Sequence, residues 1–248
     1  MLYRCRGVRG ALRLRASLGR RATAEGVGSA LLVAIVVGSG TFAQRLSPGE
    51  PGLQLLENSI ATGAGLTALI LCFGSVSGAH FNPVVSLADR WGGGLTTREL
   101  AWYVPAQTAG ACGGAVVANL MFGLPAVTAS THARSSGGLW LGEAVATFGL
   151  VLVISGIARG GRTDSAAYAV GGYITAAYWF TSSTSFANPA VTVGRTLTDT
   201  FAGIKPSSAP AFIAFEVLGG LAAVALVGFV FPTTAATELL VPHDELTA

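Results

Sequence analysis

Two asparagine–proline pairs are the residues best suited to act on a solute. Asn82-Pro83 and Asn188-Pro189 lie 106 residues apart, each inside a short apolar segment, Ser77 to Arg90 and Thr184 to Arg195. Asparagine is a preferred helix N-cap, and its amide nitrogen keeps donors for a passing neutral solute or water. Proline suits the first helical position, where its missing N–H is not needed. Each pair therefore predicts a short helix with the positive end of its dipole at the Asn. The first should run to about Trp91 and stop at Gly92; the second should run to about Ala202 and stop at Gly203. His80 and Ser185, close to these pairs, are candidates to line the same path. Glu25 and Glu143 each lead an apolar run, and a carboxylate in such a place suggests function by default. No nucleophile, base and orienting group are spaced as in an enzyme, so no catalytic residue and no cofactor are expected. Cys5, Cys72 and Cys112 are too few and too scattered for a metal site or a disulfide framework.

These residues must be held by something other than a soluble fold. Of 248 residues, 51% are apolar and only 11% charged, against about 25% charged in soluble domains; the mean hydropathy is +0.60. A bilayer is the expected solvent. Six stretches are long enough to cross it, near 22–42, 59–77, 100–122, 139–159, 165–182 and 210–231. The two Asn-Pro segments are too short to span and read as re-entrant. The chain reads as a duplicated unit: Glu25 pairs with Glu143, Gln107-x-x-Gly110 with Glu216-x-x-Gly219, and Asn82 with Asn188. Three spans per half is an odd number, so the second half is inverted and the two short helices meet near the bilayer midplane. The expected fold class is an all-α membrane protein with six transmembrane helices plus two re-entrant half-helices in an inverted repeat. Converging positive dipole ends repel cations and protons.

Residues 22–231 are expected to form this domain, between a basic arm (1–21) and a tail (232–248). Arg4, Arg6, Arg9, Arg13, Arg15, Arg20 and Arg21 crowd the arm. It reads as a juxtamembrane segment touching anionic headgroups rather than a nucleic-acid binder; a signal peptide and a gene start placed too far upstream are the other readings. With both termini in the cytoplasm, the arm arginines, Arg90, Arg98, Arg159 and Arg162 lie inside, and Arg45, Arg134, Arg195 and Lys205 outside.

His80-Phe81-Asn82-Pro83-Val84 and Phe186-Ala187-Asn188-Pro189-Ala190 resemble the paired Asn-Pro-Ala signatures of the aquaporin (major intrinsic protein) family, and the likeness covers about residues 22–231. It implies one pore per subunit in a homotetramer, passing small uncharged solutes through a cell membrane, and it implies that Glu25 and Glu143 buttress the half-helices by accepting backbone N–H bonds. Two positions depart from the pattern. Val84 stands in an alanine position, which should crowd the constriction or push the half-helices apart. Val191 stands where family members usually carry an arginine. The resemblance places the outer filter at Val191, at Thr62 (20 residues before Asn82) and at Ala176 (12 before Asn188); a two-residue gap would substitute Tyr178 and narrow the pore. A Thr62/Ala176/Val191 filter is small and uncharged, so solutes larger than water are expected: glycerol, urea, or neutral metalloid acids such as arsenous acid. Arg195, one turn beyond Val191, is expected at the outer mouth or in a loop; reaching back toward the filter is the other reading. His80 reads as a hydrogen-bonded pore-lining residue rather than a pH gate. Tyr173, Trp179 and Phe180 read as an interfacial aromatic belt. Two other functions fit an inverted repeat: a secondary transporter, for which the re-entrant segments offer only Asp89 and Asp199, and a non-conducting scaffold.

Overall fold

The computed structural model describes residues 16–231. Five arm arginines (Arg4 to Arg15), Cys5 and the tail from residue 232 lie outside the described residues. Eight α-helices follow in order: α1 (Leu18–Leu46), α2 (Pro51–Ser77), α3 (Pro83–Gly92), α4 (Thr97–Met121), α5 (Gly137–Arg159), α6 (Ala166–Phe180), α7 (Pro189–Gly194) and α8 (Ala209–Val230). Helices α3 and α7 are the two half-helices and the other six are the spans. Helices α1, α2, α5 and α8 are long and apolar enough to cross a membrane by themselves. Helix α4 carries Arg98, Glu99 and Gln107. Helix α6 has 15 residues, about 22 Å of rise, and is continued at its start by a 3₁₀ turn at Thr163–Ser165.

The halves repeat their packing. Helix α1 lies against α4 and α2 as α5 lies against α8 and α6, while α2 against α6 joins the halves. Glycine sets the closest crossings. A Cβ on Gly110 would collide with the carbonyl oxygen of Gly26, and one on Gly219 with that of Ala144. Gly26 and Ala144 directly follow Glu25 and Glu143. The same glycine-to-backbone contact therefore brings α4 to α1 and α8 to α5, as expected where van der Waals packing and not the hydrophobic effect joins helices.

Helix α3 ends where the glycines predict, with Gly93 capping it in the left-handed region. Helix α7 is shorter than the sequence suggests. It stops at Gly194 and passes through a 3₁₀ turn, Arg195–Leu197, rather than continuing to Ala202. The connection between the halves takes the next helical acceptors: Thr128 N–H donates to Leu197 O at 3.0 Å and Ser130 N–H to Thr196 O at 3.1 Å. The same connection is pinned by Asp199, which accepts from Thr131 N–H at 2.8 Å and from its hydroxyl at 2.9 Å. Arg21, expected among the headgroup-facing arginines, is instead buried against α4, donating to Glu99 at 2.6 Å and to the Tyr103 hydroxyl at 2.9 Å.

Gly219→Val is expected to destabilise the protein by about 1–3 kcal/mol through overpacking, read as a lower melting temperature in detergent; unchanged melting contradicts the contact with Ala144. The Thr131 backbone N–H, then its hydroxyl, hold the Asp199 carboxyl below the usual carboxylate range. Its folded value is depressed, so its stabilisation is complete above the unfolded value, about 3.9, and is lost as pH falls through the folded one. The melting-temperature gap between wild type and Asp199→Asn is therefore expected to shrink as pH falls below about 4.

Candidate functional site: a membrane pore

The two Asn-Pro pairs meet. Asn82 caps α3 through its side-chain oxygen, which accepts from Val84 N–H at 2.9 Å; Asn188 caps α7, accepting from Ala190 N–H at 3.0 Å and Val191 N–H at 3.3 Å. Pro83 and Pro189 are the first helical residues. Each asparagine then reaches across to the other half. Asn82 Nδ2 donates to Ala187 O at 2.7 Å, and Asn188 Nδ2 donates to Phe81 O at 2.8 Å. One N–H of each amide is thus fixed crosswise, and the residues line a common cavity in which the second N–H can meet a solute.

The backbone approaching each pair is strained, and the strain repeats. Ala79, Phe81, Ser185 and Ala187 have φ of 52°, 48°, 51° and 51°; Gly78 at 87° corresponds to Thr184 at 63°. Left-handed non-glycine residues cost about 1–3 kcal/mol each and persist only where the surroundings hold them. The buried carboxylates supply that hold. Glu25 accepts from His80 N–H at 3.0 Å, Phe81 N–H at 2.7 Å, the Ser77 hydroxyl at 2.6 Å and the Gln107 amide at 2.8 Å. Glu143 accepts from Phe186 N–H at 2.9 Å and Ala187 N–H at 2.7 Å. Phe186 and Ala187 are the repeat partners of His80 and Phe81.

The cavity runs from His80 to Arg195 and has a volume of about 50 Å³. Its walls are mostly aliphatic, from Leu32 and Leu66 to Ile154 and Ile174, with a sparse polar line of His80, Asn82, Asn188, Ser185, Thr62 and Tyr178. The His80 ring bonds the Ser86 hydroxyl through Nδ1 at 3.1 Å, and its Nε2 lies 3.9 Å from Asp89. Ser185 has a buried hydroxyl with no hydrogen-bond partner among the described residues.

Three sequence expectations change here. Ala176 does not border the cavity; it lies on the exposed side of α6, because the inward face carries Val170, Ile174 and Tyr178, each four residues apart. Tyr178 occupies the wall instead, its hydroxyl 3.1 Å from that of Thr62. Val84 does not crowd the constriction; its side chain points to α8, where a Cβ on Gly220 would strike it. The extra methyls are absorbed by a glycine on the neighbouring helix. Arg195 is neither in a loop nor at a surface. It is 2% exposed, lines the cavity beside Val191 and Tyr178, donates from Nε to Ala202 O, and stacks on the Phe186 ring. Val191 and Thr62 line the cavity near it, so this end is not uncharged. Of the expected aromatic belt, Trp179 and Phe180 are exposed, while Tyr173 donates to Ala146 O at 3.1 Å. Phe186 also lines the cavity, and its 106-residue offset from His80, the same as between the two asparagines, is the sequence signal that marks it.

An inverted pair of half-helices meeting at asparagines in one narrow cavity, inside six spans, defines an integral membrane channel. The family model of the major intrinsic protein matches residues 14–181. The chain is 51% identical over 209 residues to aquaglyceroporin AqpS of Rhizobium meliloti, covering 84% of this chain and 89% of that protein. It is 29% identical over 235 residues to the probable aquaporin AqpM of Archaeoglobus fulgidus, covering 84% and 95%. Its fold is similar to the X-ray structure of the aquaglyceroporin from Plasmodium falciparum, with a TM-score of 0.66 at 19% identity over 86% of this chain and 97% of that one. The chain belongs to the major intrinsic protein family.

Glu143→Ala is expected to leave the Phe186 and Ala187 N–H groups buried and unpaired, a loss of about 1–3 kcal/mol each. The folded, monodisperse yield should drop sharply, and Glu143→Gln, which keeps one acceptor oxygen, should fall between. A Glu143→Ala protein that melts with wild type contradicts the buttressing role.

Proposed function

We propose that the chain is a passive pore for small uncharged solutes larger than water, with glycerol-like polyols as the main class and neutral metalloid acids such as arsenous acid as a second. One observation carries the reading: the cavity is aliphatic along most of its wall and hydrogen-bonding along one sparse line. A polyol has that same division, with a hydrocarbon edge and a hydroxyl edge. A chain of waters would gain nothing from the aliphatic side. The names of its relatives agree with this reading, aquaglyceroporin AqpS among them and, over a shorter match of 105 residues, a glycerol uptake facilitator protein of Pseudomonas aeruginosa.

In this account Thr62, Tyr178 and Val191 form the narrow ring, with Tyr178 in the place the spacing gave to Ala176. Val191 leaves open the space that an arginine at its position would fill. His80 lines the opposite end. The distribution of arginines supports cytoplasmic termini, with the Arg195 end facing outward, and the family resemblance supports a homotetramer with one pore in each subunit.

Stopped-flow light scattering on proteoliposomes, without any ion gradient, tests the permeant class. Wild type should pass glycerol and arsenous acid well above bare lipid. Val191→Arg should reduce flux of both by about tenfold, the scale of a single pocket contact, and reduce water flux less. Equal loss of all three, or no change, removes Val191 from the filter.

A further inference from the structure

Arg195 and Arg134 share one aromatic ring. The Arg195 guanidinium carbon sits 3.3 Å from the centre of the Phe186 ring, and that of Arg134 sits 5.1 Å from the same centre. Arg134 comes from the connection between the halves and donates from Nε to Gly203 O at 3.0 Å and from Nη2 to Phe201 O at 3.4 Å. Arg195 donates from Nε to Ala202 O. Three successive carbonyls, 201 to 203, therefore hold two cations side by side. Neither cation forms an ion pair among the described residues, in contrast to Arg21 with Glu99.

No nearby carboxylate among the described residues reaches either guanidinium. Glu143 spends both oxygens on Phe186 and Ala187 N–H groups, Asp199 is taken by Thr131, and Glu216 accepts from the Thr192 hydroxyl at 2.6 Å through one oxygen while its other oxygen is buried without a partner. Carbonyl acceptors orient a guanidinium but bring no countercharge, and a buried charge without one is costly. The remaining N–H groups of Arg195 are not sealed in protein: none is a buried donor lacking a partner, and the residue borders the cavity. Guanidinium N–H groups match the oxygens of a carboxylate, sulfonate or phosphonate in pairs.

We propose that the Arg195 end of the cavity is a binding site for a small singly charged oxyanion, held by Arg195 and Arg134 beside Phe186. The anion supplies the countercharge that the protein withholds. Seated there, it narrows the entrance that neutral solutes use, so oxyanions slow the channel while chloride, a poor match for a two-point donor, does so far less. The proposal rests on the reading that this cavity is the conduction path, and binding is therefore measured separately from flux.

Methanesulfonate is the probe, because as a strong acid it does not cross lipid in a neutral form. Glycerol flux into wild-type proteoliposomes is compared in sodium methanesulfonate and in sodium chloride, each salt present on both sides at equal osmolarity. Melting of the purified protein in a non-ionic detergent is followed in the same two salts. Methanesulfonate at its half-saturating concentration is expected to slow glycerol about twofold and, at tenfold higher concentration, to raise the melting temperature by about 2–4 °C over chloride. Arg134→Gln, at a partly buried position, should weaken both effects, and Arg195→Gln, at a fully buried one, should abolish them. Each variant is scored against its own flux in chloride. Equal flux and equal melting in the two salts, or an effect that survives in both variants, overturns the site. A protein that binds methanesulfonate but passes no glycerol keeps the site and loses the proposed permeant.

Discussion

The structure depends on satisfying broken backbone in the middle of a membrane. Hydrocarbon offers no partner to an unpaired N–H or C=O, so two chain reversals at that depth need internal partners for every such group. The asparagines do two jobs at once. Their oxygens cap their own half-helices, while their amide nitrogens take the carbonyls of Phe81 and Ala187 from the opposite half. Glu25 and Glu143 take the N–H groups just before. With those bonds made, the left-handed residues between them become tolerable, and the two dipole ends are held facing each other across one cavity.

Departures from the family signature are absorbed within a few ångströms of where they occur. The methyls of Val84 leave the constriction because Gly220 gives them room on α8. The missing arginine at Val191 does not leave that end of the cavity without a cation, because Arg195 turns back from the next turn and is held by Ala202 O and Phe186. Ending α7 at Gly194 makes this possible. Had the helix continued, the Thr196 and Leu197 carbonyls would not be available to the connection, and the 201–203 carbonyls would not face the two arginines. The Arg195 end of the cavity therefore combines a small aliphatic residue, a phenol paired with a threonine hydroxyl, and a guanidinium from the following turn.

Much of this was legible in the sequence because it rests on local chemistry or on the repeat. The caps at Asn82 and Asn188, the Glu25/Glu143 pairing and the Gly110/Gly219 contacts each need only residue type and spacing. What the sequence hid was side-chain direction. Ala176 and Tyr178 differ by two residues and lie on opposite sides of α6, so an ungapped count could not choose between them. Val84 reads as an intruder until Gly220, 136 positions later, is seen beside it. Arg195 reads as a mouth residue because the end of α7 is set by hydrogen bonds from a distant connection. Arg21 reads as part of a basic arm because its partners, Glu99 and Tyr103, arrive from α4.

The most direct test is an experimental density map of the protein in lipid nanodiscs, read at the bilayer midplane. The account predicts each asparagine amide bonded to the carbonyl preceding the other asparagine, on the wall of a passage that stays open from His80 to Arg195. Half-helices whose asparagines stand apart, or a side chain that seals the passage between them, would contradict it.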